Sequence, residues 1–153
     1  MERLRQLTST LLDPQNSACS LRPEVVEITG ILEESSEMQS LSEFETIDAN
    51  ETRTSNGLAV SPTMAAMCAA DFVRTIKFMR GVHAAIDDVR KQFPDRPARV
   101  LYAGCGPYAT LAVPVMTQFC PPDVTFTLLD LHPKSIASVR SIVGTLGLDE
   151  FRV

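Results

Sequence analysis

A glycine-rich turn and a carboxylate are the groups in this chain whose types and spacing could do chemistry. Gly104-Cys105-Gly106 follows an apolar run at 99–103, and Asp130 follows a second apolar run at 124–129. Glycine permits a tight turn and lets the backbone approach a ligand without a Cβ in the way. If both runs are parallel strands, their carboxyl ends meet at the edge where open α/β folds bind ligands. Asp130 could there accept hydrogen bonds from both ribose hydroxyls, so the pattern predicts a nucleotide-cofactor site.

The strands and helices that must position these groups are predicted to lie within residues 98–153. Alternating strands and helices at this spacing predict a parallel sheet. The predicted order is a strand at 99–103, a helix to about 119, a strand at 124–129, a helix from His132-Pro133 closed by Gly147, and a strand beginning at 151–153. Pro114 removes a helical hydrogen bond, so the first helix is expected either to kink or to start late, with Thr110 as a possible cap.

Residues 1–97 are predicted to form a helical N-terminal region. Its role is left open between a lid over the cofactor, a substrate-binding part and a dimerisation surface. The predicted elements are a helix over 4–12 stopped by Asp13-Pro14, a second over about 23–44, a loop over 48–57, and one long helix over 61–93 with Ser61 as N-cap. The methionines of the long helix are expected in the core, and His83 is expected to be a partly buried structural residue.

The segments Val100–Tyr108 and Leu128–Pro133 together resemble the first two motifs of the class I S-adenosylmethionine-dependent methyltransferases. The resemblance covers residues 98–153 and implies a Rossmann-like, S-adenosylmethionine-binding domain. It implies that Asp130 holds the ribose. The other residues that it places at the cofactor are Gly104, Cys105 and Gly106 at the methionine end, Leu131 and His132 beside the adenine, and Tyr102, Pro107 and Tyr108 around the turn.

This sequence departs from the family pattern at two of those positions. Tyr102 stands where the family usually has an acidic residue, and Tyr108 replaces the third glycine. Both departures are expected to alter the amino-acid end of the cofactor site. No catalytic residue is predicted. The Cys105 thiol lacks an evident base, so it is expected to pack near the cofactor without acting as a nucleophile.

Three other functions fit parts of the pattern. Gly104–Ala109 also satisfies the G-x-G-x-x-A pattern of an NAD-dependent oxidoreductase. Gly-x-Gly-Pro also resembles nicotianamine-synthase-type enzymes, which transfer the aminocarboxypropyl group of the same cofactor. The chain could instead be a non-catalytic interaction module, with the glycine turn serving only as a tight connection. Cysteine between the glycines and proline after them favour the methyltransferase.

Composition narrows the classes of partner. The formal charge is −5, and no basic cluster is present, which argues against nucleic-acid binding. No apolar run approaches the roughly 20 residues of a membrane span, and the N-terminus lacks a signal-peptide pattern, so a cytoplasmic protein without membrane contact is predicted. A small-molecule acceptor is favoured over a macromolecule.

The four cysteines and two histidines are too scattered for a zinc site. No metal is therefore predicted. The thiols are expected to be reduced, and Cys68 and Cys120 are expected to be buried.

The predicted sheet is smaller than the resemblance implies, because only the first three strands are present and the third has just begun. We therefore expect either an N-terminal fragment truncated at the third strand, or a second chain or homo-oligomer that completes the sheet. Both full strands look apolar on their two faces, so both faces are expected to need covering.

Overall fold

The computed structural model describes residues 1–36, 52–55 and 57–149. It is a mixed helical and sheet structure, compatible with the predicted α/β class: helices accompany a two-stranded antiparallel hairpin and a two-stranded parallel sheet. The elements are α1 (Glu2–Leu12), α2 (Arg22–Glu34), β1 (Thr52–Thr54), β2 (Gly57–Ala59), α3 (Pro62–Met67), α4 (Phe72–Gln92), β3 (Ala98–Ala103), α5 (Val113–Met116), β4 (Val124–Leu129) and α6 (Pro133–Thr145).

The first helix ends where the sequence predicts. Leu4, Leu7 and Leu11 share the buried face of α1. The last carbonyls of a helix lack partners within the helix and need donors from elsewhere. Arg80 of α4 supplies them, donating to the carbonyl oxygens of Leu11 at 2.7 Å and of Asp13 at 2.9 Å. One guanidinium therefore joins the end of α1 to the middle of α4.

The prediction of a single helix over 61–93 is wrong. Ser61 does cap a helix, its hydroxyl accepting the Met64 N–H, but this helix is only α3. A 3₁₀ turn over Cys68–Ala70 follows, and α4 begins after Asp71, whose carboxylate accepts the Arg74 N–H at 3.2 Å. Aspartate competes for backbone N–H groups in this way, which favours a new N-cap over a helix interior. The chain therefore bends between α3 and α4.

Two other N-terminal predictions change. The helix predicted from Pro23 begins at Arg22 and ends at Glu34; the rest of its predicted range, from 37 on, lies outside the described residues. The predicted loop at 48–57 contains β1, which pairs with β2 in an antiparallel hairpin. Residues 48–51 and 56 lie outside the described part of the chain.

Strands β3 and β4 pair in parallel from Ala98–Val124 to Ala103–Leu129. Both strands lie within one residue of the predicted ranges. The helix predicted between them is shorter than expected: α5 begins after Ala112, so Thr110 is not its cap, and Pro114 lies in its first turn, where no hydrogen bond is lost.

Helix α6 begins after His132 and closes as predicted at Gly147. Gly147 has a φ of +65°, the left-handed conformation that glycine adopts at low cost. The Leu148 N–H donates to the Val143 carbonyl at 2.8 Å, and the Gly147 N–H donates to the Gly144 carbonyl at 3.1 Å. These two bonds form a Schellman motif. The strand predicted at 151–153 lies outside the described residues.

The two faces of the parallel sheet differ in exposure within this chain; that both faces need covering stays a prediction. In β4, Val124, Phe126 and Leu128 are buried, whereas Thr125, Thr127 and Leu129 are exposed. On the exposed face of β3, Leu101 is 64% exposed. Threonine alternates with apolar residues in β4, which is the period of a half-buried strand.

One hydrophobic core joins the N-terminal helices to the parallel sheet. Arg5 of α1 donates to the Thr117 carbonyl after α5 at 2.9 Å. His83 of α4 stacks on Phe119 with ring centres 5.1 Å apart, so His83 is the partly buried structural residue that was predicted. Among the described residues, none of the helices combines the length and the apolar character that a membrane span requires.

Adjacent leucines of β4 test this arrangement of faces. Leu128→Ala empties a fully buried site and should lower the free energy of unfolding by about 2–5 kcal/mol. Leu129→Ala removes a side chain that is 49% exposed. It should change the free energy of unfolding by about 0.5 kcal/mol or less. Urea denaturation of both variants measures the difference. An equally large loss at Leu129 would mean that this face is covered in solution.

Candidate functional site

The glycine turn follows directly from the end of β3. The N–H groups of Gly104 and Cys105 both donate to the Leu129 carbonyl, at 2.8 and 3.0 Å, which ties the turn to the end of β4. Gly104 and Gly106 have φ angles of +74° and +66°. A side chain at either position would be strained. A Cβ at Gly106 would also lie 3.2 Å from the Cβ of Ala65 in α3. The turn therefore requires glycine at both positions.

Asp130 contacts this turn from the sheet side. The Gly106 N–H donates to Asp130 Oδ2 at 2.8 Å, and the His132 N–H donates to Asp130 Oδ1 at 2.9 Å. The Asp130 side chain is 8% exposed. The two sequence motifs, 24 residues apart, thus meet through one carboxylate.

His132 connects Asp130 to the hairpin. Its ring Nδ1 lies 3.2 Å from Asp130 Oδ1, and its Nε2 lies 3.1 Å from the Thr52 hydroxyl of β1. His132 also provides the N-cap position of α6. The ring therefore holds the β1–β2 hairpin beside the carboxyl ends of β3 and β4.

A cavity of about 380 Å³ lies between the glycine turn and the N-terminal helices. Small-molecule sites typically enclose roughly 300–1,000 Å³. From the sheet side it is lined by Tyr102, Gly104, Cys105, Gly106, Pro107, Tyr108, Thr110 and Leu111. From the helix side it is lined by Val60, Ala65, Cys68, Ala69, Arg74, Thr75 and Phe78.

The structure separates the predicted site residues into two groups. Tyr102 and the turn Gly104–Tyr108 all line the cavity. Asp130, Leu131 and His132 are not in its lining; Asp130 lies behind the turn, and Leu131 is 54% exposed. The predicted adenine and ribose positions therefore lie beyond the cavity, on the hairpin side of Gly106.

The residues from the helix side of the cavity were not predicted. All but Val60 lie in the stretch that was predicted to be one continuous helix, and none of them belongs to the apolar stripe on which that prediction rested. Phe78 was the available signal, because it falls outside that stripe and is 51% exposed. Ligand pockets are lined mainly by apolar and aromatic side chains.

Burial raises the pKa of two tyrosines in the cavity wall. It raises the pKa of the Tyr102 hydroxyl to about 12, with smaller contributions from Cys105 and Asp130. It also raises the pKa of Tyr108 to about 12, and Glu33 adds to that shift. The Tyr108 hydroxyl is fully buried and has no hydrogen-bond partner among the described residues. The cavity is therefore lined by residues whose hydroxyl groups are neutral, and the Tyr108 hydroxyl itself lies in the protein interior.

The four cysteines are free thiols in different environments. Cys105 is 4% exposed, and burial raises its pKa to about 12, with Asp130 contributing further. Such a thiol is a poor nucleophile. Cys68 and Cys120 are exposed, so the prediction that they are buried is wrong. Met64 and Met67 are also exposed, whereas Met79 lies in the core as predicted.

Within the described ranges, no group of three or more histidine, cysteine, aspartate or glutamate side chains is placed to hold a metal ion.

Thiol reactivity tests the environment of Cys105. With a pKa raised from 9.0 to about 12, this thiol should hold about a thousandfold less thiolate near neutral pH than a free thiol does. A disulfide reagent should therefore modify Cys19, Cys68 and Cys120 rapidly and Cys105 only on unfolding. Cys105→Ser should remove the slow phase and keep the rapid one. Four equally rapid thiols would contradict the assigned burial.

In comparisons with known proteins, no protein-family model, no curated protein and no solved structure matches the chain.

Proposed function

We propose that this chain is the S-adenosylmethionine-binding portion of a transferase, most simply a methyltransferase, with a Rossmann-like sheet. The observation that carries the proposal is the 2.8 Å hydrogen bond from the Gly106 N–H to Asp130 Oδ2. It brings the acidic end of the second strand of a parallel pair to the glycine turn after the first. This is the edge where open parallel sheets bind nucleotide cofactors.

The residues present fit such a cofactor. Gly104 and Gly106 both line the cavity, which is large enough for a small molecule. A carboxylate has about four acceptor sites, so Asp130 can take ribose hydroxyls by exchanging the Gly106 N–H for one of them. The released N–H then faces the ligand. Asp130 and Gly106 would thus change partners together on binding.

The position of α5 favours this cofactor over a dinucleotide. A dinucleotide site places the pyrophosphate on the N-terminus of a helix that starts at the glycine turn. Here α5 starts at Val113, beyond the turn, and has only four residues. S-adenosylmethionine has no phosphate and does not need that helix. An NAD-dependent oxidoreductase therefore fits this geometry less well.

The bound cofactor would supply an activated methyl group for in-line transfer to an acceptor. The chain would position the reactants. The glycine turn would set where the methyl donor lies, and the neighbouring helices would limit the access of water to the cavity. Holding two reactants in near-attack geometry accounts for a large part of such rate enhancements. The cavity volume and the charge of −5 favour a small-molecule acceptor over nucleic acid. Reduced thiols accord with a cytoplasmic protein.

Calorimetric titration with S-adenosylhomocysteine, with NAD as the comparison ligand, tests the proposal. Wild-type protein should bind the first and not the second. Asp130→Asn removes the charge and should weaken binding by about 1–3 kcal/mol. Asp88→Asn, an exposed carboxylate on α4, is the matched control and should leave binding unchanged.

Three outcomes would count against the proposal. Binding of NAD alone would identify an oxidoreductase. Binding of neither ligand by folded protein would favour an interaction module. Unchanged affinity in Asp130→Asn would remove the ribose assignment. If binding holds, product analysis distinguishes the transfers, since methyl transfer leaves S-adenosylhomocysteine and aminocarboxypropyl transfer leaves 5′-methylthioadenosine.

A further inference from the structure

Arg74 is the charged side chain of the cavity. Among the described lining residues, every other side chain is apolar, a hydroxyl or a thiol. The hydroxyls of Tyr102 and Tyr108 and the thiol of Cys105 are protonated at neutral pH, and burial raises the pKa of each further, to about 12. A ligand in this cavity therefore meets one full charge from the cavity wall, and that charge is positive.

The guanidinium of Arg74 has no carboxylate partner within the described residues. Other arginines of the chain are engaged: Arg3 pairs with Glu27, Arg90 pairs with Asp123, and Arg80 donates to backbone carbonyls. The nearest acid in sequence, Asp71, accepts the backbone N–H of Arg74. Arg74 instead lies over the ring of Phe78, 5.6 Å from its centre.

The cation–π contact with Phe78 restricts the position of Arg74 without using its donors. A guanidinium over an aromatic face keeps its N–H groups free in the plane, in a fork that matches a carboxylate. The exposed Phe78 ring and the unpaired guanidinium both line the cavity. The pair thus presents a preoriented anion-binding group opposite the glycine turn.

We propose that Arg74, oriented by Phe78, binds the α-carboxylate of the amino-acid end of S-adenosylmethionine. The inference rests on the proposed function and adds a residue to it. Asp130 takes the ribose from the sheet side of the turn, and Arg74 takes the carboxylate from the helix side. The sulfonium centre then lies at the glycine turn, next to the neutral groups of the cavity wall.

Two ligands that differ in this end of the cofactor test the assignment. S-adenosylhomocysteine carries the carboxylate, and 5′-methylthioadenosine lacks the amino-acid group. Arg74→Gln should weaken calorimetric binding of S-adenosylhomocysteine roughly tenfold to a hundredfold, as expected for a lost charge-assisted bond. It should change binding of 5′-methylthioadenosine less than about twofold, within the usual scatter of exposed substitutions. Arg74→Lys should give an intermediate loss, because it keeps the charge without the fork.

Lys77→Gln is the matched control, because it removes a cation of the same helix that is not in the cavity lining. It should change the affinity for neither ligand. Thermal unfolding should show that Arg74→Gln folds like the wild type. Equal weakening of both ligands, or unchanged binding of S-adenosylhomocysteine, would overturn the role of Arg74 while leaving the proposed function intact. Failure of wild-type protein to bind either ligand would overturn both.

Discussion

The hydrogen bond between the Gly106 N–H and Asp130 is the interaction on which the rest of the site depends. It fixes the turn after β3 against the end of β4, while the Leu129 carbonyl holds Gly104 and Cys105. A buried carboxylate is stable only when its oxygens are hydrogen-bonded. Backbone N–H groups meet that need at Gly106 and His132. The same group that stabilises the turn is therefore the one a cofactor would engage.

The helical part of the chain completes the site from the opposite side. The bend at Asp71 separates α3 from α4, which lets Ala65 approach Gly106 while Arg74 and Phe78 line the cavity. In one continuous helix, Ala65 of α3 and the pair Arg74 and Phe78 of α4 would lie along a single helix axis. Arg80 joins α4 to the end of α1. The local competition of one aspartate for a backbone N–H thus shapes half of the cavity.

The sequence predicted the sheet side of the site better than the helix side. Strands β3 and β4 were predictable because each is a short apolar run followed by glycine or aspartate, and parallel pairing then places Gly106 near Asp130. The break at Asp71 was missed because neither glycine nor proline marks it. Arg74 was missed because only tertiary packing brings it to the turn. Cys68, which was predicted to be buried, lies exposed in the 3₁₀ turn just before this break.

The amide NMR spectrum of labelled protein, titrated with S-adenosylhomocysteine, tests the central claim most directly. The chain has seven glycines, whose amide signals fall in a region with few others. Saturable shifts of Gly104 and Gly106, with the largest at Gly106 as its N–H leaves Asp130, are the predicted result, and Gly144 and Gly147 in and after α6 should not move. Binding that shifts other residues and leaves Gly104 and Gly106 unchanged would contradict the account.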